Sequence, residues 1–253
     1  GRMIQAPGGH PWNTVFFQNP ETAAHELIFA GPDTDLELEV AKLADEGVDW
    51  IKLYISEDDV TRWPQKLPRL SDDQLRQATC AAHSLGKAVM AHVDNFDGMR
   101  LAVEVGADSI EHVLNNGANH GLTPDETLLR QLVDKNIWVV PTMTATKYHD
   151  GSIPQAQPIM PWLMDGVGKL IQAGVRLGVG CDSGIPLVPY GQCVHEELEL
   201  LCQAGMTPEQ ALSAATRGNA ELLGWEGQAG ILAPGGWADL VVLGSDPRTD
   251  ISH

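Results

Sequence analysis

Four side chains able to bind a metal or to move a proton lie on successive apolar segments of the chain. They are Lys52, His92, His112 and Asp182. Imidazole and carboxylate groups are ligands of zinc and of related divalent metals. His92 and His112 end two consecutive segments at matching positions, twenty residues apart. This spacing favours metal ligation over two unrelated structural histidines.

The other two residues leave more than one role open. Asp182 ends an apolar run within Gly178–Gly184. A buried carboxylate is costly unless it is paired or bound to a metal. We therefore predict that Asp182 is a metal ligand that also carries the catalytic proton. The alternative is an aspartate in a turn or at a helix N-cap. Lys52 lies between Ile51 and Leu53. It can reach the rim of the sheet, form a Schiff base or carry CO2 as a carbamate, and spacing does not choose among these roles.

The elements that position these residues alternate between short strands and helices, which predicts a parallel α/β sheet. No G-x-G-x-x-G opens a helix, so a dinucleotide-binding fold is disfavoured. Polar strand ends that converge on one mouth favour a partial (β/α) TIM-type barrel of about six βα units over residues 1–228. Residues 229–253 are predicted to be a remnant of a small β domain with a strand at Ala238–Leu243. The predicted barrel strands are Arg2–Gln5, Val48–Ile55, Ala88–His92, Asp108–His112, Ile137–Thr142 and Val175–Asp182.

Local signals mark both ends of the predicted helices. Helix starts are predicted by capping boxes, in which a hydroxyl and a later acid or amide satisfy free backbone N–H groups. Helix ends are predicted by glycines, which tolerate the left-handed conformation. The boxes begin at Thr34, Ser71, Thr123 and Thr207, and the glycines are Gly47, Gly86, Gly106, Gly174 and Gly205.

Composition limits the classes of partner. Hydrophobic residues make up 43% of the chain, which indicates a sizeable core, and the net charge of −18 would repel nucleic acid and anionic membrane surfaces. No apolar run reaches the ~18 residues that cross a membrane, and no signal peptide is visible. The four cysteines form no C-x-x-C pair, so we expect free thiols in the cytoplasm.

Taken together, the motifs resemble the amidohydrolase superfamily and are most similar to its imidazolonepropionase-like and metal-dependent prolidase (Xaa-Pro dipeptidase) branch. The resemblance covers nearly the whole chain. The segments that carry it are VDWIKLY with Lys52, VMAHVDN with His92, SIEHV with His112, WVVPT with Thr142, LGVGCDSG with Asp182, HEEL from His195, AGMTP from Ala204 and GILAPG from Gly230.

This resemblance implies a divalent metal centre of one or two ions, with zinc as the first choice, and hydrolysis of an amide C–N bond by metal-activated water. The substrate would be a dipeptide, an acylated amino acid or a cyclic amide. The resemblance implies that Lys52 is the carboxylated lysine, that His92 and His112 are the ligands of strands five and six, and that Asp182 is the strand-eight acid. Candidates for contact with the substrate are His10, Tyr54, Thr142, Arg62, Trp63, Tyr148 and His149.

The family's first motif, His-x-His, does not occur in this sequence. We therefore expect a chain truncated at its N-terminus, equivalent to barrel strands 3–8, that binds one metal ion or none by itself. Six strands would leave two open sheet edges, which predicts a homodimer. Two alternative functions remain: an inactive or partly metallated fragment or paralogue, and a deaminase of the same superfamily.

Overall fold

The computed structural model describes residues 2–12, 19–55, 57, 66–113, 123–149, 159–185 and 187–252. The chain divides into two compact units, Gly1–Leu122 and Thr123–His253. Each unit alternates parallel strands with helices, which confirms the predicted α/β class. The boundary between residues 228 and 229 stays a prediction. No helix in the described part of the chain is long and apolar enough to cross a membrane.

The first unit contains five of the strands. Its elements are β1 (Met3–Gln5), α1 (Pro20–Glu26), β2 (Leu27–Phe29), α2 (Leu36–Asp45), β3 (Trp50–Tyr54), α3 (Asp72–Ser84), β4 (Ala88–His92), α4 (Phe96–Val105) and β5 (Ser109–Glu111). Their order in the sheet is β2-β1-β3-β4-β5. The sequence analysis missed β2, which pairs with β1 in register Met3 to Leu27. Three residues are too few to show an alternating pattern.

The two faces of the sheet in the first unit differ, since one is entirely apolar and the other carries polar side chains among apolar ones. Successive side chains of a strand point to opposite faces. Because Tyr54 pairs with His92 and His92 pairs with Glu111, these three residues share a face. The fully buried apolar face carries Ile4, Ile51, Leu53, Val89, Ala91 and Ile110. The other face, called the polar face below, carries Gln5, Lys52, Tyr54, His92, Ser109 and Glu111.

The helices of the first unit bury stripes of apolar residues spaced three or four apart, the pattern of a helix with one face in a core. In α2 the stripe is Leu36, Val40 and Leu43, and in α3 it includes Leu75 and Ala82. Each large apolar side chain contributes about 1.5–3 kcal/mol through burial. The stripes and the apolar sheet face therefore supply the stability that holds the polar face in place.

The second unit contains two strands and most of the remaining helices. Its elements are α5 (Glu126–Asp134), β6 (Trp138–Val140), α6 (Met143–His149), α7 (Met160–Ala173), β7 (Arg176–Leu177), α8 (Gln192–Gln203), α9 (Pro208–Ser213), a π-helical turn (Ala214–Gly218) and α10 (Asn219–Leu222). Strands β6 and β7 are parallel, with Trp138 opposite Arg176.

Strand β7 is much shorter than the predicted Val175–Asp182. The Asn219 side chain accepts from the Val179 backbone nitrogen at 2.9 Å and donates to the Val179 carbonyl at 2.8 Å. These bonds take the place of strand pairing at Val179, and the chain leaves the sheet after Leu177. The sequence pattern could not show this side-chain competitor, which lies 40 residues away.

The predicted strand at Ala238–Leu243 is wrong, because these residues are described and have no strand conformation. Their side chains are exposed, and Val242 keeps 96% of its surface open to solvent. A strand needs a partner for its backbone hydrogen bonds, and a run of apolar residues does not by itself provide one. The assignment of residues 229–253 to a small β domain therefore stays a prediction.

Candidate active site

Three rings surround His92, the last residue of β4. The His10 ring stacks on it with centroids 4.6 Å apart, and the Tyr54 ring lies at the same distance. The His112 ring meets it edge-on at 4.4 Å. We call His10, Tyr54, His92 and His112 the ring cluster. The structure therefore brings together four of the residues that the sequence singled out, although their roles stay predictions.

The ring cluster follows from the way the strands end. Tyr54 and His92 are the last residues of paired strands, and His112 directly follows β5. Because the carboxyl ends of parallel strands meet at one edge, their terminal side chains converge. His10 lies in the turn after β1. At the preceding residue, Gly9, a Cβ would lie 2.5 Å from the Pro68 carbonyl oxygen. Only glycine fits that close approach.

Burial sets the protonation state of His92. The pKa of His92 lies well below its ordinary value, first because burial disfavours the charged ring and then because of the nearby charges of His10 and Lys52. The imidazole is therefore neutral at neutral pH. A neutral ring keeps the lone pair that a metal ligand needs.

Asp94 is a neighbour of His92 that the sequence analysis did not select. Its Oδ1 lies 3.2 Å from His92 Nε2, and the carboxylate is buried. A carboxylate in this position orients an imidazole ring and fixes its tautomer. The signal in the sequence was an acid two residues after a strand-end histidine.

Lys52 lies on the polar face, two residues before Tyr54. Its Nζ is 5.9 Å from the centroid of the Tyr54 ring, and its charge acts on His92. Lys52 is therefore close enough to join the ring cluster in one site. Its three chemical roles, at the rim, as a Schiff base or as a carbamate, stay open.

The metal-binding capacity of these residues depends on their donor atoms. Among the described residues, no group of three or more His, Cys, Asp and Glu side chains is arranged to hold a metal ion. In the first unit, His92 and His112 offer two imidazole nitrogens for part of such a set. Lys52 fits a third position only without its extra proton or as a carbamate, because an ammonium has no lone pair.

Three of the predicted site residues have a left-handed backbone. His112, Thr142 and Asp182 have φ angles of 75°, 49° and 50°. A residue with a Cβ adopts this conformation at a cost of about 1–3 kcal/mol, and such residues concentrate at functional sites. All three follow the ends of strands β5, β6 and β7, so the strain lies where the sequence predicts the chemistry.

Asp182 and Thr142 belong to the second unit, whereas Lys52, His92 and His112 belong to the first. The side chain of Asp182 is exposed. The expectation of a buried carboxylate was therefore wrong, because β7 ends at Leu177 and Asp182 lies in the loop beyond it. The role of Asp182 as proton carrier stays a prediction.

Glu197 is the buried acid of the second unit. Its Oε1 accepts from the Met143 nitrogen at 2.9 Å, and its Oε2 accepts from the Thr144 nitrogen at 2.7 Å and lies 2.8 Å from the Thr144 hydroxyl oxygen. The pKa of Glu197 is raised to about 7, because burial and, to a smaller extent, the charge of Asp182 raise it by more than the hydrogen bonds from Met143 and Thr144 lower it. Glu197 therefore holds the start of α6, immediately after Thr142. The sequence analysis quoted it in the HEEL motif without giving it a role.

The loop residues that were predicted to contact the substrate are only partly described by the structure. Tyr148 is described, and its hydroxyl donates to Glu196 Oε1 at 2.9 Å. Arg62 and Trp63 lie outside the described residues, as does the side chain of His149. Their predicted contacts with the substrate therefore stay predictions.

Comparison with known proteins decides the family. The model of the Amidohydrolase family matches residues 17–253. The chain belongs to the amidohydrolase family. This membership confirms the family recognised from the motifs, which is a family of hydrolases.

Individual family members resemble the chain over part of their own length. The chain is 32% identical to imidazolonepropionase of Deinococcus deserti over 72% of this chain and 42% of that protein. It is 26% identical to ochratoxinase of Aspergillus niger over 99% of this chain and 53% of that protein. The chain thus spans about half the length of the curated relatives it matches.

A solved structure supports the fold. The crystal structure of a Xaa-Pro dipeptidase with bound methionine in its active site matches with a TM-score of 0.80 and 23% identity, over 100% of this chain and 63% of that chain. At this identity the likeness concerns the fold alone. It confirms the prediction of a partial TIM-type barrel.

Proposed function

We propose that this chain carries a large part of the active site of a metal-dependent hydrolase that cleaves amide C–N bonds. The observation that carries the proposal is the ring cluster, in which the His92 and His112 rings lie 4.4 Å apart at adjacent strand ends. Family membership supports the same chemistry. The names of two relatives, a dipeptidase and an imidazolonepropionase, support a dipeptide or a cyclic amide as the substrate; an acylated amino acid is the third class.

In this proposal each residue has a defined task. The rings of His92 and His112 would hold a divalent metal, with zinc as the first choice and either one or two ions, and Lys52 would complete the donor set as a carbamate. When bound, the metal would act as a Lewis acid and make water more acidic. Asp182 takes the proton from the attacking water and delivers it to the leaving nitrogen. His10, Tyr54 and Thr142 face the substrate.

The protonation of His92 agrees with this task. Its ring is already neutral at neutral pH, so no proton has to leave before a ligand bond forms. Asp94, 3.2 Å from Nε2, would orient the ring. The neutral state of the His92 ring and its orientation by Asp94 therefore support the proposed role of His92 as a metal ligand.

Metal analysis tests the proposal. We expect the chain, purified after growth with added zinc and dialysed, to retain at least one zinc per two chains in elemental analysis. His92→Ala and His112→Ala should each lower that content at least fivefold. His25→Ala is the matched control, because His25 is exposed on α1, and it should leave the metal content unchanged. Zinc retention that does not respond to His92→Ala or His112→Ala would refute the ligand assignment.

An activity test separates the enzyme from the inactive fragment. We expect the zinc-loaded chain to release the free amino acid from X-Pro dipeptides, N-acyl amino acids or a cyclic amide, and Asp182→Asn to slow the release at least a hundredfold. Asp165→Asn is the matched control, since Asp165 is exposed on α7. A metal-loaded chain with no turnover on any of the three classes would favour the inactive fragment.

We also propose that the chain forms a homodimer through a sheet edge. Strand β2 ends the strand order of the first unit and, among the described strands, pairs only with β1. The outer edge of β2, which has no strand partner among the described residues, is a template for a strand of a second copy. Sedimentation equilibrium should give twice the 27.3 kDa chain mass. A monomer throughout the micromolar range would contradict this proposal.

A further inference from the structure

Two cysteines of the second unit meet in its interior. Cys181 follows β7, and Cys193 is the second residue of α8, twelve positions along the chain. Their Sγ atoms lie 2.6 Å apart, and both residues are buried. The fold therefore brings together two thiols whose sequence spacing gave no sign of a pair.

The surroundings hold the two thiols in this contact. Ala145 and Val188 are buried beside them, and Tyr148 and Ile185 pack against the same cluster. The Thr144 hydroxyl donates to the Cys193 carbonyl at 3.2 Å, and Thr144 is itself held by Glu197. The backbone that carries Cys193 is thus anchored on the packed side of α8, so bond formation needs little movement of the chain.

We propose that Cys181 and Cys193 form a reversible disulfide by exchange with a small-molecule disulfide of the oxidised-glutathione class. The pair is a modification site that lies beyond the proposed hydrolase chemistry. In reducing compartments, disulfides of this kind are usually transient and respond to the redox state.

The exchange balances in two steps. One cysteine sulfur attacks a sulfur of oxidised glutathione and expels one glutathione thiolate, which leaves a mixed disulfide on the protein. The second cysteine sulfur then attacks the first and expels the other glutathione thiolate. The two thiol protons of the protein end on the two released glutathione molecules. The protein loses two electrons, and oxidised glutathione gains them.

The bond would act on the segment that contains Asp182. Asp182 directly follows Cys181 and has a left-handed φ of 50°. A disulfide would tie the chain beyond β7 to the first turn of α8 and close a ring around residues 182–192. Cross-linking limits the conformations that such a ring can reach, so oxidation would restrict the backbone of Asp182.

Thiol counting and peptide mapping test the proposal without any activity assay. The chain, incubated natively with excess oxidised glutathione, is quenched in acid, denatured and alkylated. We expect Cys181 and Cys193 both to lose their free thiols without carrying glutathione, whereas the exposed Cys80 can carry only a glutathione adduct. A digest should contain one cross-linked peptide pair that joins Cys181 to Cys193, and dithiothreitol should restore all four thiols. Hydrogen exchange of residues 182–192 should slow at least threefold in the oxidised chain.

Matched variants separate this pair from the other cysteines. Cys80 is exposed and Cys202 is partly buried, so a Cys80→Ser/Cys202→Ser double variant should still lose two thiols. Cys181→Ala and Cys193→Ala should each prevent the internal bond, and circular dichroism checks that they fold. Four remaining thiols, glutathione adducts without an internal bond, or a bond that involves Cys80 or Cys202 would each overturn the proposal.

Discussion

Replacement of Glu197 by glutamine should change how the stability of the protein depends on pH. Glu197 is fully buried, and its pKa is raised from 4.5 to about 7. In the unfolded chain the carboxyl ionises near 4.5, whereas in the folded chain it stays protonated until about pH 7. The folded state therefore gains stability from this group below pH 4.5 and loses that stability as the pH rises through 7.

The size of the effect follows from the pKa. A tenfold change in proton affinity corresponds to about 1.4 kcal/mol, so the rise from 4.5 to about 7 corresponds to about 3 kcal/mol between pH 4.5 and pH 8. The hydrogen bonds fit the protonated form. A protonated Oε2 can donate to the Thr144 hydroxyl, 2.8 Å away, while that hydroxyl donates to the Cys193 carbonyl.

The Glu197→Gln variant cannot ionise at this position. Its amide group also opposes one of the two backbone N–H donors, and a buried donor without an acceptor costs about 1–3 kcal/mol. We therefore expect the variant to be less stable than the parent at pH 5 by about that amount. Between pH 5 and pH 8 the gap should shrink by about 2.5 kcal/mol, because at pH 8 the parent bears the cost of a buried charge. Urea denaturation followed by circular dichroism measures both values.

Glu196 provides the matched control on the same helix. Its pKa is lowered, chiefly because Lys147 donates to it at 2.8 Å. The pH dependence of stability therefore has the opposite sign to that of Glu197. Glu196 stabilises the folded protein above its unfolded pKa, and this stabilisation is lost as the pH falls through its folded pKa. Both pKa values of Glu196 lie below pH 5, so the gap between Glu196→Gln and the parent should stay nearly constant from pH 5 to pH 8. If Glu197→Gln and the parent follow parallel curves from pH 5 to pH 8, the reasoning about Glu197 is refuted.

Two backbone predictions can be checked by thermal or urea denaturation. Gly230→Ala should unfold the second unit more readily by at least 2 kcal/mol, because a Cβ there would lie 2.5 Å from the Thr216 backbone. Gly224→Ala has the same left-handed strain but open space around it, and it should cost about 1 kcal/mol; equal costs would contradict the clash. Ser71→Ala removes a complete capping box at the start of α3 and should cost about 1 kcal/mol. Thr34→Ala should cost under 0.5 kcal/mol, since Asp35 caps α2, and a larger loss would show that Thr34 also caps.

The sequence by itself determined the elements whose signals are local. Five of the six predicted strands appear within two residues of their expected bounds at both ends: β1, β3, β4, β5 and β6. All five predicted glycine stops have positive φ angles. Capping boxes formed at Ser71 and Thr207. At Thr34 and Thr123 a nearby aspartate is the cap instead, Asp35 or Asp125. Such signals work because each depends on a few adjacent residues.

Local sequence signals also predicted part of the candidate active site. Strand-end residues of adjacent parallel strands must converge, so His92 and His112 were expected together, and their rings lie 4.4 Å apart. The contact between Asp94 and His92 could have been predicted in the same way, because Asp94 follows His92 by two positions.

Only the tertiary structure decided the features that depend on distant partners. Three features have no local signal: the sulfur pair of Cys181 and Cys193, the bonds from Glu197 to residues more than 50 positions away, and the bonds of Asn219 to Val179 beyond the end of β7. The exposed segment at Ala238–Leu243 shows the converse, since its run of apolar residues is typical of a strand but the described structure gives it no partner. The periodicity of a sequence indicates which face of a helix or strand is apolar. Strand pairing, side-chain burial and protonation states depend on the distant residues that the fold packs against that face.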